Sequence, residues 1–101
     1  MKDDTKVFKA LADPPRRRIL DALSERKEQT FYELQVRLIM RHQVNMTRQG
    51  ISKHLRILEK AGLVQTHRKG RFKVLSFLER PIKDIRDRWI NRLIERKQRE
   101  D

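Results

Sequence analysis

The sequence predicts a mainly helical fold with one small β-hairpin, organised as a single domain over residues 1–101. Three observations predict it. Residues Thr47 to Gly62, TRQGISKHLRILEKAG, place apolar side chains along one side of a helix and cationic and polar ones along the other. The following LVQTHRKGRFKVLSF holds two runs rich in β-branched and aromatic residues around Lys69-Gly70. Gly 3 and Pro 3 are low counts, so most of the chain should be regular structure.

The elements follow in order. Asp4 or Thr5 can cap a short first helix carrying Val7, Phe8 and Leu11. Asp13-Pro14-Pro15 breaks it, and proline suits the first turn of a second helix, about Pro14 to Ser24, with Ile19, Leu20 and Leu23 inward. Arg16, Arg17 and Arg18 sit in its first turns, where their charge opposes the helix dipole. They therefore face water or have another task, with backbone contact to a nucleic acid one candidate.

Thr30-Phe31-Tyr32-Glu33 has the form of a capping box and opens a third helix. Leu34 and Leu38 are its buried residues and Ile39 is a third candidate; it ends between Met40 and Val44. Thr47 caps the fourth helix (about 47–61), and Gly62 suits its C-terminal position. Ile51, Leu55 and Leu58 fall at i, i+4 and i+7, one buried face, while Gln49, Ser52, Lys53, Arg56 and Lys60 lie opposite. The hairpin (about 63–77) pairs Val64–Arg68 with Arg71–Phe77, and Phe72 and Val74 alternate with Arg71 and Lys73 as in a half-buried strand. Pro81 starts a last helix (about 81–97) whose seam is Ile82, Ile85, Trp89 and Leu93, widened by Ile90 and Ile94.

Composition narrows the function. Lys plus Arg is 26 and Asp plus Glu is 14, a net charge of +12, with a pI near 10.9. That exceeds the basic threshold of roughly 9 used for nucleic-acid-binding domains. Charge alone does not separate DNA, RNA and anionic membrane. No run approaches the ~20 apolar residues of a membrane span, and MKDDTKVFKA lacks a secretory signal's apolar stretch. Cys 0 excludes disulfides and thiolate metal sites and fits a cytoplasmic setting.

The order of four helices, hairpin and helix, with a basic fourth helix, suggests a winged helix-turn-helix. The residues go further. FKALADPPRRRIL, from Phe8 to Leu20, and GISKHLRILEKAGLV, from Gly50 to Val64, resemble the opening signature and the recognition helix of the ArsR-type regulators, the arsenical-resistance repressor family. With the wing and the Trp89 helix, the resemblance spans nearly the whole chain. It implies a homodimeric transcriptional regulator, commonly a repressor, that dimerises through its first and last helices. Three departures stand out: Pro15 replaces the usual threonine, the stretch from Glu33 to Thr47 exceeds a compact turn, and the cysteine metal site is missing.

The expected partners are therefore double-stranded DNA and a second copy of the chain. Thr47, Arg48, Gln49, Ser52, Lys53 and Arg56 are the recognition-helix candidates. Arginine can read guanine and glutamine can read adenine, while threonine, serine and lysine more often hold phosphates. Arg68, Lys69 and Arg71 are the wing candidates, with His67 and Lys73 alongside; they suit a minor groove or a phosphate. His54 falls beside the apolar seam and is expected to pack there rather than contact a base. Val7, Phe8, Leu11, Ile82, Ile85, Trp89 and Leu93 are the dimer candidates.

No cofactor, metal or catalytic site is expected. Asp84 and Asp87 have no histidine near them, and His42, His54 and His67 share no ligand spacing. No glycine-rich phosphate loop or nucleophile motif is present. Two alternative functions stay open: a winged-helix module binding RNA or a protein, and a ligand- or metal-responsive repressor whose effector the sequence does not name.

Overall fold

The computed structural model describes residues 4–100. Helices α1 (Thr5–Leu11) and α2 (Pro14–Ser24) are followed by a short strand β1 (Gln29–Thr30), then α3 (Phe31–His42) and α4 (Arg48–Lys60). Strands β2 (Val64–Lys69) and β3 (Phe72–Phe77) form the hairpin. A helical rod ends the chain: α5 (Arg80–Ile85), a π-helical turn (Arg86–Ile90) and α6 (Asn91–Glu100).

Local chemistry sets most of these boundaries. Asp13 caps α2 by accepting from the Arg16 amide at 3.3 Å. At α3 the capping box is complete: Thr30 Oγ1 accepts from the Glu33 amide at 3.1 Å, and a Glu33 oxygen accepts from the Thr30 amide at 2.9 Å. Those hydrogen bonds hold the Glu33 carboxyl below its ordinary range. Asp4 stands at the α1 cap position without a side-chain cap bond. At the end of α4, Gly62 takes φ 78°. Its amide reaches Glu59 O at 3.0 Å and the Leu63 amide reaches Leu58 O at 2.9 Å, with Leu58 and Leu63 both buried. This paired closure uses a left-handed residue that glycine adopts without strain.

The arginines at the start of α2 have the other task. Arg17 Nη1 donates to Leu11 O at 2.6 Å, and Arg16 Nε and Nη2 donate to Ala10 O and Lys9 O at 2.8 and 3.0 Å. Their cations satisfy the C-terminal carbonyls of α1, where the dipole favours positive charge. Of the alternatives the sequence left open, Arg16 and Arg17 take the one of another task, closing α1.

The core is one cluster. Ile19 and Leu23 from α2, Leu34 and Leu38 from α3, and Ile51, Leu55 and Leu58 from α4 meet Leu63, Leu75 and Ile85. Ile39 is exposed, because the helical turn places it a residue past the seam that Leu34 and Leu38 define. Gln29 is the buried polar exception among the described residues. Its amide donates to Ala22 O at 2.9 Å and its oxygen accepts from Arg37 Nε at 3.2 Å, so both ends are satisfied.

The sheet has three strands, ordered β1-β3-β2 and antiparallel throughout. β1 adds to the expected hairpin, pairing Gln29 with Leu75 and Thr30 with Val74. It reaches no further along β3, so Phe72 lies beyond its cover and is 58% exposed instead of half-buried.

Gly62→Ala should lower stability by about 1 kcal/mol, because an added Cβ meets nothing closer than 3.8 Å and only the backbone is strained. Denaturant unfolding checks this; an unshifted midpoint contradicts the assigned closure.

Candidate nucleic-acid interface

Burial of Ile51, Leu55 and Leu58 fixes the roll of α4, and the opposite side faces solvent. Arg48, Gln49, Ser52, Lys53 and Arg56 together line one shallow concave patch there. Thr47 is committed locally: its hydroxyl oxygen accepts from the Gly50 amide at 3.0 Å, making it the helix cap. Arg48 stacks its guanidinium 4.6 Å above the Phe31 ring, which ties the first turn of α4 to the start of α3. The approach from α3 is an open five-residue turn, 43–47, rather than a long extension. Gln43 adopts φ 56° there, the Val44 amide donates to Leu38 O at 2.9 Å, and Val44 and Met46 pack on the core.

Strand alternation divides the wing between two faces. Arg68 pairs with Lys73 and Thr66 with Leu75, on the face toward α4. Lys73, Thr66 and Leu75 line a second hollow together with Ser52, Arg56 and Glu59. Glu59 accepts a hydrogen bond from Thr66 Oγ1, joining the back of α4 to β2. Lys69 and His67 lie on the other face, where Glu28 holds both. Lys69 Nζ is 2.8 Å from one Glu28 oxygen, and His67 Nε2 is 2.7 Å from the other. Lys69 first, then His67, keeps the Glu28 carboxyl below its ordinary value, and Glu28 in turn raises Lys69. Arg71 stands at the exposed tip beside Gly70. Among the described residues Arg68, Arg71 and Lys73 make no ion pair, so their charge is open to a polyanion.

His54 sits beside the seam, as expected, but its partners are charged. Its Nδ1 lies 3.5 Å from Arg16 Nη1 and 3.6 Å from Asp13 Oδ2. It faces α2, away from the concave patch.

A family model described as a helix-turn-helix domain matches residues 11–67, which include α2 to α4 and most of β2. The HTH-type transcriptional regulator YuzN of Bacillus subtilis is 54% identical over 84 residues, covering 83% of this chain and 91% of that one. The transcriptional repressor SdpR of the same organism is 41% identical over 66 residues, 65% of this chain and 66% of that one. A solved ArsR family transcriptional regulator superposes with a TM-score of 0.72 at 29% identity, covering 93% of this chain and 89% of its own. A structure described as a possible transcriptional regulator for arsenical resistance gives 0.66 at 26% identity over 100% of this chain and 98% of its own.

This chain belongs to the ArsR-type winged helix-turn-helix transcriptional regulators. As such a regulator it is a DNA-binding protein and not an enzyme. Among the described residues of this ArsR-type chain, no helix is long and apolar enough to cross a membrane. No group of three or more His, Asp or Glu among them is placed to hold a metal ion. Asp87 instead accepts from Arg86 Nε at 2.8 Å, and Asp84 lies 4.0 Å from Arg88.

The expected dimer set of this regulator divides in two. Val7 and Ile85 are buried within the single chain, and Leu11 and Ile82 pack against its core, so those four serve the fold of one copy. Phe8, Trp89 and Leu93 are exposed, together with Ile90 and Ile94. The rod runs clear of the core after Ile85, so every residue from Arg86 to Arg99 is exposed whichever side of the helix it occupies. A π turn, in which the Asn91 amide donates to Arg86 O, lies at that departure. Sequence periodicity carried no signal for that departure. It also missed Glu28 as the counter-charge of the wing, a contact 41 residues apart along the chain.

The Glu28 pairing predicts a pH signature. Glu28 is depressed from its ordinary 4.5, so its contribution is complete above that value and is lost as pH falls through the lower folded-state value. Lys69 is raised from 10.5, so its share is complete below that and is lost as pH climbs past the raised value. Glu28→Gln should therefore lower the melting temperature at neutral pH, and its difference from the parent should shrink as pH falls through the lowered Glu28 value. A constant difference across the acid range contradicts the pairing.

Proposed function

We propose that this regulator is a sequence-specific repressor that binds a near-palindromic operator as a cytoplasmic homodimer. The observation that carries the reading is the convergence of Arg48, Gln49, Ser52, Lys53 and Arg56 on one exposed patch, continuous with Lys73 of the wing. A helix of this form fits a major groove about 12 Å wide. Arg48 and Gln49, at its N-terminal end, are the base readers. Ser52, Lys53 and Arg56 hold phosphates or further base edges, and Thr47 sets the helix start. In the wing, Arg68, Arg71 and Lys73 meet the flanking backbone, while Lys69 contributes less because Glu28 already engages it.

Dimerisation is supported by the terminal rod. All residues from Arg86 to Arg99 are exposed, yet Trp89, Ile90, Leu93 and Ile94 form an apolar stripe on it. Phe8 extends the stripe, its ring meeting Trp89 edge-on at 5.7 Å. A stripe of this kind on a single copy marks a contact surface. A two-fold pair would set two α4 helices about one duplex turn, ~34 Å, apart. Repression is the named activity of SdpR, and its 41% identity supports the same sign here.

Arg48→Ala or Gln49→Ala should cost roughly 1–3 kcal/mol on a preferred duplex and little on a scrambled one. Arg68→Ala or Arg71→Ala should weaken both alike and reduce the slope of log K against log salt by about 1 each. Equal losses on both duplexes for all four variants would remove α4 from the reading role and favour a module that recognises RNA or protein. Trp89→Ala combined with Leu93→Ala should shift the sedimenting species from dimer to monomer while leaving the fold's circular dichroism unchanged.

A further inference from the structure

We propose that Arg16, acting through His54, is a positioning residue that fixes the angle of the recognition helix relative to the dimer face. The inference rests on the reading of the chain as an operator-binding dimer and adds how its two halves are joined.

The Arg16 side chain is only 14% exposed. Its three nitrogens reach two different helices. Nε donates to Ala10 O at 2.8 Å and Nη2 to Lys9 O at 3.0 Å, both at the C-terminal end of α1. Nη1 lies 3.5 Å from Nδ1 of His54 on α4. With the His54 proton on Nε2, Nδ1 accepts from that guanidinium nitrogen. The Asp13 carboxylate, 3.7 Å from Nη1, balances the charge and caps α2 through the Arg16 amide. A planar guanidinium sets several donor directions at once, so it specifies an orientation that an apolar residue of equal volume does not.

The far side of α1 meets the dimer stripe. Phe8, beside Lys9 in sequence, stacks edge-on against Trp89 at 84°. A continuous path of contacts therefore runs from Trp89 to Phe8, through the α1 carbonyls to Arg16, and on to His54. His54 shares its helix with Ser52, Lys53 and Arg56, so any tilt at His54 moves the reading face. Packing of α4 on the core sets its roll; the Arg16 fork sets its bearing on α1. In a two-fold dimer that bearing determines the separation of the two reading faces. Half-site spacing is the measurable consequence.

The test uses palindromic duplexes whose half-sites are separated in steps of one base pair. Binding of the intact protein, Arg16→Met, Arg16→Lys and His54→Phe is measured on each, with dimer dissociation followed by sedimentation. The intact protein should favour one spacing over its neighbours by about tenfold. Arg16→Met and His54→Phe should reduce that preference to roughly threefold or less, with half-site affinity and dimer dissociation unchanged. Arg16→Lys, which keeps the charge but not the fork, should fall between. If the intact protein discriminates spacings and His54→Phe discriminates equally well, the inference is overturned and the operator reading stands. If the intact protein shows no spacing preference at all, the dimeric operator reading itself fails, and the inference with it.

Discussion

Everything functional in this structure depends on the burial of one side of α4. Ile51, Leu55 and Leu58 lie in the core, and each is worth roughly 1.5–3 kcal/mol relative to exposure. Rolling the helix by half a turn would expose all three and bury Lys53 and Arg56 without partners, which a domain of marginal stability cannot sustain. The exposure of the polar side of α4 is therefore a by-product of core packing. The Gly62 closure then turns the chain so that Leu63 and Val64 enter the same core, and the wing leaves from a fixed point.

Part of the charge is committed inside the fold. Arg16 and Arg17 close α1, and Arg37 serves Gln29 and Glu25 between α2 and α3. Glu25 also accepts from His42 at 3.1 Å; His42 first, and Arg37 after it, hold its carboxyl low. Glu28 restrains the back of the wing. Among the described residues Lys53 and Arg56 of the α4 patch and Arg68 and Lys73 of the wing stay outside these ion pairs, where a polyanion would lie.

The legible parts of the sequence were those whose cause is local. The capping box at Thr30, the prolines opening α2, the seam of α4 and Gly62 each show themselves within one or two helical turns, and the structure has each in place. The misread parts depend on distant partners. β1 has two residues, and only its pairing to Val74 and Leu75 makes it a strand. The Glu28 contact to Lys69 and the Arg16 contact to His54 join residues far apart in the chain. Ile85 is buried and Trp89 exposed, though one seam in sequence, because the rod leaves the core between them, where a π turn also interrupts the period. Family resemblance supplied expectations that periodicity could not: a fourth helix that reads DNA and end helices that pair.

We propose that α4 and the wing form a sequence-reading surface carried by a symmetric pair of chains. Duplexes selected from a random pool at physiological salt should be enriched in one near-palindromic motif, with half-sites about one helical turn apart. A pool that binds in proportion to length, with no motif emerging after repeated rounds, would contradict it.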